Sequence, residues 1–150
     1  MSGLELDVSY SSRRPWAPRR QLLARWAAAA LSPIRKHWVL SIHVVGKRRS
    51  RSLNARYRLK DRPTNVLSFA GAGSAPDGRF FLGELVICAP IVALEARAQN
   101  KTLEAHWAHM TIHGVLHLLG FDHEGSAEAV KMASREIQIL DRLGISDPYR

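Results

Sequence analysis

The residues best suited to chemistry lie in the segment HGVLHLLGFDH, residues 113–123. His113 and His117 are four residues apart in a predicted helix, so their side chains lie on one face, about 6 Å apart at Cβ. That spacing allows two imidazoles to bind one tetrahedral metal ion at about 2.0–2.1 Å each. Gly120 then ends the helix, and the chain can turn back to bring His123 in as a third nitrogen ligand. Three protein ligands with a fourth position left open are typical of a catalytic zinc site.

A second histidine set has a similar spacing. His109 lies four residues before His113, so His109, His113 and His117 form an alternative group of ligands. A straight helix does not easily wrap three successive side chains around one ion, because 3.6 residues per turn carries them along its axis. The turn at the helix end therefore favours the set that includes His123.

The spacing of the histidines is also that of metzincin peptidases, whose motif is H-E-x₂-H-x₂-G-x₂-H. In those enzymes the glutamate after the first histidine is the general base for amide hydrolysis. Here that position is Gly114, so ordinary peptidase chemistry is not favoured. Asp122, close to the third histidine in sequence, is interpreted as a residue that orients a histidine ligand.

A phosphodiester substrate fits the remaining residues better. Zinc can polarise a phosphoryl oxygen, and an arginine can hold a phosphate with its planar fork of donors. Basic residues of this kind precede the third predicted strand, and their spacing does not choose among them. They are Arg56, Arg58, Lys60 and Arg62.

Positive charge is concentrated in one third of the chain. The 150 residues include 22 Lys and Arg and 13 Asp and Glu, for a net charge of +9. Residues 13–62 contain fifteen bases and one acid, whereas residues 63–150 contain seven bases and ten acids. Such a concentration attracts polyanions, and it favours contact with nucleic acid. A membrane-surface role is not favoured, because no segment combines the basic residues with a long apolar helix face.

Hydrophobic periodicity and turn residues predict strands early in the chain and long helices late, an α+β fold. Lys47–Arg51 is predicted to be a basic turn, and Gly71–Gly78 a loop. His37 and His43, on the second strand, are interpreted as structural or surface residues. The predicted strands are 4–10, 37–45, 65–69 and 80–88, and the predicted helices are 19–31, 50–58, 90–101, 102–119 and 126–143.

The length of the chain suits a single domain, which we expect to cover residues 1–150. Hydrophobic residues make up 46% and charged residues 23% of the sequence, as in ordinary globular proteins. The single cysteine, Cys88, cannot form an internal disulfide, which is consistent with a reducing compartment. The first ten residues lack the features of a signal peptide, and the longest apolar run, Leu85–Leu94, is too short to cross a membrane. We therefore expect a cytoplasmic protein.

Several segments, in order, make the sequence resemble the YbeY family of metal-dependent endoribonucleases, or rRNA maturation factors. The resemblance implies a small α+β domain in which the metal helix packs beside a mixed, mostly four-stranded sheet. The segments are LNARYRLKDRPTNVLSF (53–69), LGELVIC (82–88), HMTIHGVLHLLGFDH (109–123) and ILDRLGISDPYR (139–150).

The same resemblance implies the chemistry of the site. One Zn²⁺ per chain would be bound by His113, His117 and His123, and the functional arginine would be Arg58. The implied activity is cleavage of single-stranded RNA in 16S rRNA 3′-end processing and ribosome quality control. The implied partners are rRNA and the ribosome or its small-subunit proteins, with neither DNA nor membrane expected. The alternative is a ribosome-associated RNA-binding protein in which zinc is structural and cleavage belongs to a partner.

Overall fold

A computed structural model describes residues 3–122 and 124–150 of the chain. This part contains four strands and five helices, which confirms the predicted α+β class. The strands are β1 (Gly3–Tyr10), β2 (His37–Val45), β3 (Val66–Ser74) and β4 (Arg79–Cys88). The helices are α1 (Arg20–Leu31), α2 (Lys47–Arg58), α3 (Ala89–Ala98), α4 (Leu103–Leu118) and α5 (Ser126–Arg142).

The four strands form one mixed sheet in the order β1-β2-β4-β3. Strands β1, β2 and β4 are parallel, and β3 pairs with β4 in the antiparallel direction. Helix α1 connects β1 to β2, and α2 connects β2 to β3. A short turn that includes Gly78 joins β3 to β4. The edge strand next to β4 is therefore the one nearest in sequence to it.

One face of the sheet, called here the first face, bears the main hydrophobic core. Alternate residues of β2 point toward it, and Leu40, Ile42 and Val44 are fully buried there. Helices α1 and α4 pack over this face and against each other. Apolar side chains from both helices, such as Leu23 and Ile112, complete the core and fix α4 against the sheet.

The opposite face of the sheet, called here the second face, carries a smaller apolar cluster. Val45, Leu67, Val86 and Cys88 are buried there. Leu53 of α2 is among the residues that pack against them. Helix α2 therefore lies over the second face, opposite the side of the sheet that supports α4.

The start of α2 corrects the predicted basic turn. Lys47–Arg51 is the first part of a helix that begins directly after Gly46. Lysine and arginine are good helix formers, and Gly46 supplies the extended residue that precedes the helix. The bases are therefore presented along a rigid helix rather than on a turn.

The predicted loop over Gly71–Gly78 is wrong in its first half, because β3 continues to Ser74. The pairing with β4 is irregular between Ala70 and Gly73, and the two backbones come unusually close there. A Cβ atom at Gly71 would lie 2.4 Å from the backbone oxygen of Phe81. Only glycine allows this approach, so the composition typical of a loop here serves a strand.

No helix in the described parts of the chain, 3–122 and 124–150, is both long and apolar enough to cross a membrane.

Candidate metal centre

Helix α4 carries the two described histidines of the predicted site, and its ends follow the predicted signals. The hydroxyl of Thr102 accepts a hydrogen bond from the backbone N–H of Ala105, at 3.1 Å, and so caps the first turn. At the other end Gly120 has φ +102°, a left-handed conformation that favours glycine. The chain therefore leaves the helix immediately after the second histidine.

His113 and His117 lie together on the partly exposed side of α4. Their ring centroids are 4.8 Å apart, and both side chains are half-buried. The three residues between them, 114–116, are buried against the core. The predicted pairing of these two histidines is thus present, with their rings at the boundary between core and solvent.

Gly114, which occupies the position of the metzincin base, faces the sheet. A Cβ atom there would lie 2.8 Å from Cδ2 of Leu85 and 3.3 Å from Cγ2 of Val66. The helix packs so closely on the first face that the position has no room for a longer side chain. The backbone oxygen of Gly114 also accepts a hydrogen bond from Ser68 of β3, at 3.4 Å. The position serves packing rather than proton transfer.

A buried carboxylate from α5 contacts the histidines of α4. Glu136 is fully buried, and its Oε2 atom lies 2.6 Å from Nδ1 of His113. Its Oε1 atom lies 2.8 Å from Nε2 of His109 and also accepts a hydrogen bond from the hydroxyl of Tyr149. Glu136 therefore ties together helix α4, helix α5 and the C-terminal segment.

The protonation of Glu136 follows from these contacts. Burial alone would raise its pKa, but hydrogen bonds from His109, His113 and Tyr149 outweigh that effect and lower the pKa to about 2. An ionised carboxylate only accepts hydrogen bonds, so Nδ1 of His113 must carry the proton that it donates. The other ring nitrogen of His113, Nε2, then has a lone pair suited to a metal ion.

His109 is kept neutral by its surroundings. Burial lowers its pKa, although Glu136 opposes that effect. Its Nε2 atom donates to Glu136, and its Nδ1 atom is buried without a hydrogen-bond partner in the described part of the chain. His109 is thus held by the same carboxylate as His113, on the more deeply buried side of the helix.

One group of side chains in the described part of the chain could hold a metal ion directly. A ligand atom from each of His109, His113 and Glu136 lies within 4.8 Å of the others. Two of these residues belonged to the alternative histidine set, and Glu136 was not predicted. The sequence does contain a signal for Glu136. It lies at helical spacing from Met132, Ile139 and Leu140 on the buried side of α5, and a buried carboxylate needs hydrogen-bonding partners.

The remaining predicted site residues are His123, Arg58 and Asp122. His123 lies outside the described residues. Arg58 is the exposed last residue of α2, and its side chain makes no hydrogen bond or ion pair within residues 3–122 and 124–150. Asp122 accepts a hydrogen bond from the backbone N–H of Glu124, at 3.1 Å. The structure thus brings together His113 and His117 but does not tie Arg58 to them.

The fold and this cluster define an α+β protein with a histidine-rich site able to hold a metal. Residues 16–144 match the family described as Endoribonuclease YbeY. Two proteins named Endoribonuclease YbeY, from Stenotrophomonas maltophilia strains K279a and R551-3, are each 49% identical over 97% of this chain and 93% of their own length. The chain therefore belongs to the YbeY family.

A solved structure has the same fold. The solution structure of TM1509 from Thermotoga maritima matches with a TM-score of 0.59 and covers 93% of this chain and 92% of that one. The two sequences are 23% identical, so this likeness supports the arrangement of helices and strands alone.

Proposed function

We propose that this protein is a zinc-dependent endoribonuclease that cleaves single-stranded RNA. The observation that carries the proposal is the His113–His117 pair, with Nδ1 of His113 held by Glu136, in a chain of the Endoribonuclease YbeY family. The proposed setting is 16S rRNA 3′-end processing and ribosome quality control in the cytoplasm, with the ribosome or its small-subunit proteins as partners.

The proposed zinc ligands are His113, His117 and His123, and the donor set suits zinc because imidazole nitrogen is one of its preferred ligands. The distances favour Glu136 as a residue that orients His113 rather than as a ligand. Two ligand atoms on a tetrahedral zinc ion lie roughly 3.3 Å apart, given bonds of about 2.0–2.1 Å. The oxygens of Glu136 lie only 2.6 and 2.8 Å from the histidine nitrogens, which are hydrogen-bond distances.

Zinc, Glu136, Arg58 and the other bases of α2 would each have a different role in the proposed reaction. Zinc would supply a Lewis acid that polarises a phosphoryl oxygen of the RNA. Glu136 holds the ring of His113 in one orientation and one tautomer. Arg58 can donate two parallel hydrogen bonds to phosphate oxygens and stabilise the charge that develops on them. The bases of α2 increase the rate of encounter with RNA.

Removal of the metal tests the proposal directly. A labelled single-stranded RNA should be cleaved by the zinc-loaded protein, left intact after treatment with a chelator, and cleaved again when zinc is restored. A matched RNA duplex serves as the control for strand specificity. Full cleavage by a preparation shown to contain no metal would contradict the proposal. RNA binding without cleavage, together with a fall in melting temperature on chelation, would favour the alternative of a binding protein with structural zinc.

Glu136→Gln should weaken zinc binding by about 10- to 100-fold, the usual effect of losing a residue that orients a metal ligand. His109 and His113 contact different oxygens of Glu136, and glutamine replaces one of these oxygens with an NH₂ donor, so one of the two contacts loses its acceptor. Zinc affinity is measured by competition with a chelating dye, and the melting temperature of the metal-free protein shows whether the variant folds.

The matched control is Glu95→Gln. Glu95 accepts from Nε2 of His106, also on α4, at 2.8 Å, but His106 is not a proposed ligand. We expect this variant to keep the zinc affinity of the wild type. Equal affinities for all three proteins would rule out the positioning role of Glu136. A crystal structure of the zinc-loaded protein with an oxygen of Glu136 about 2.0–2.2 Å from zinc would make Glu136 a ligand instead.

A further inference from the structure

The second face of the sheet contains a cavity of about 660 Å³ beside α2. Its apolar part is formed by Val45 and Val86 of the sheet and Leu53 of α2. Polar, aromatic and basic side chains of the sheet and of α2 complete the lining, Phe69 among them. The others include Ser9, His43, Arg49, Tyr57 and Glu84.

The cavity is separate from the candidate metal centre. Phe69 of β3 lines the cavity, whereas the preceding residue, Ser68, donates its hydrogen bond to Gly114 of α4. Successive residues of a strand point to opposite faces, so β3 has the cavity on one side and the histidine helix on the other. A ligand in the cavity would therefore not occupy the metal centre.

A chain of hydrogen-bonding groups crosses the sheet at the cavity. Nδ1 of His43 lies 2.7 Å from the hydroxyl of Ser9, and its Nε2 lies 2.8 Å from Oε1 of Glu84. These residues come from three neighbouring strands, β1, β2 and β4. Both oxygens of a carboxylate accept hydrogen bonds, and the side chain of Glu84 is 56% exposed. Glu84 can therefore accept further hydrogen bonds from a ligand.

The aromatic side chains of the cavity suit a flat ligand. Tyr57 and Phe69 are in edge-to-face contact, with centroids 5.3 Å apart. Tyr57 is 56% exposed, which leaves much of its surface open to solvent. Stacking of bases on exposed aromatic rings is a general means of binding single-stranded nucleic acid.

The charge of α2 selects an anionic ligand. The helix contains six bases and no acid, and Arg49 itself lines the cavity. Within the described residues, Asp61 pairs with Arg51, through bonds of 2.8 and 3.0 Å. Arg49 is exposed and available for a phosphate. A nucleotide has a flat base that can stack on Tyr57, a base edge that can form hydrogen bonds with Glu84, and a phosphate that can pair with Arg49.

We propose that this cavity binds one nucleotide of single-stranded RNA, with its base against Tyr57 and its phosphate near Arg49. Glu84 favours bases with an amino group, such as cytosine, because a carboxylate can accept hydrogen bonds but cannot donate them. The choice of RNA as ligand rests on the proposed function, and the site would hold substrate away from the bond that is cleaved.

Cytidine monophosphate is a suitable probe because it has no internucleotide bond to cleave. Titrated into the zinc-loaded, ¹⁵N-labelled protein, it should shift the amide signals of His43, Tyr57 and Phe69. Uridine monophosphate, with a carbonyl in place of the amino group, should bind more weakly, and inorganic phosphate should not reproduce the shifts. Shifts confined to α4, equal affinity for the two nucleotides, or the same response to phosphate alone would overturn the proposal.

Variants test the roles of the ring and the charge. Tyr57→Ala should weaken cytidine monophosphate binding on the order of five-fold or more, the effect of losing one stacked base, while Tyr57→Phe retains it. Arg49→Ala should weaken binding, whereas Arg142→Ala, which removes the same charge from α5, should not. Equal affinities for Tyr57→Ala and the wild type would also overturn the proposal.

Nucleotide binding at the cavity and RNA cleavage are measured separately, so either proposal can fail without the other. RNA cleavage without any nucleotide response at the cavity would contradict this inference alone. Nucleotide binding at the cavity in a protein that cleaves no RNA would contradict the proposed function and leave the cavity site intact.

Discussion

His117→Ala should lose zinc binding and RNA cleavage together. The imidazole of His117 lies beside that of His113, with centroids 4.8 Å apart, and a zinc ion bound by both would lose one of its three proposed protein ligands. A zinc Lewis acid would contribute several kcal/mol to the transition state, so we expect cleavage to fall by roughly 100-fold or more. The measurements are zinc content after dialysis and the cleavage rate of a labelled single-stranded RNA.

Two controls make this result specific. His37→Ala removes a histidine from β2, where its ring lies 3.8 Å from Glu5, and should leave both zinc content and cleavage unchanged. The wild type, His37→Ala and His117→Ala are purified in parallel, so that contaminating nucleases affect all three equally. Cleavage at the wild-type rate by a zinc-free His117→Ala protein would place the active site elsewhere.

Local patterns predicted most of the elements that position the site. The alternation in β2 predicts its bounds, 37–45, because one face of the strand meets the core. The ends of α4 were predicted from Thr102 and Gly120, whose backbone and hydroxyl groups act within one turn of the helix. Such features depend on neighbours in sequence, so the sequence alone is sufficient to place them.

Features that depend on distant residues were harder to predict. Glu136 contacts His113 across 23 positions of the chain, and only the packing of α5 on α4 brings them together. Composition was misleading at Gly71–Ser74, where backbone pairing with β4 forms a strand despite the small side chains. At Lys47–Arg51 the clustering of charge suggested a turn, although these residues favour a helix.

The YbeY resemblance and the structure contribute different parts of the proposed site. The spacing and the resemblance both favour His123, and the resemblance selects Arg58 from four bases. The structure adds the carboxylate that orients His113. The sheet cavity could not be predicted from any sequence motif, because Ser9, His43 and Glu84 lie on three strands that are separated in sequence. These two additions link the fold to the proposed activity: Glu136 orients a proposed ligand of the metal, and the cavity would hold the substrate.

Arg58→Ala should reduce the rate of RNA cleavage by about 100- to 1,000-fold, the usual effect of removing a group that stabilises transition-state charge. The change should appear mainly in kcat, since the other bases of α2 still attract RNA. The side chain of Arg58 is exposed and makes no hydrogen bond or ion pair within the described residues, so its loss should change the free energy of unfolding by no more than about 0.5 kcal/mol. Zinc content should also remain that of the wild type.

Arg48→Ala is the matched control, because it removes the same charge from an exposed position of the same helix. It should lower encounter with RNA slightly and leave kcat unchanged. Arg58→Lys distinguishes charge from shape: lysine keeps the charge but lacks the planar fork, so we expect only partial recovery of the rate. A large fall in melting temperature for Arg58→Ala would instead show that Arg58 supports the fold, and equal losses in Arg48→Ala and Arg58→Ala would reduce its role to general attraction of the RNA.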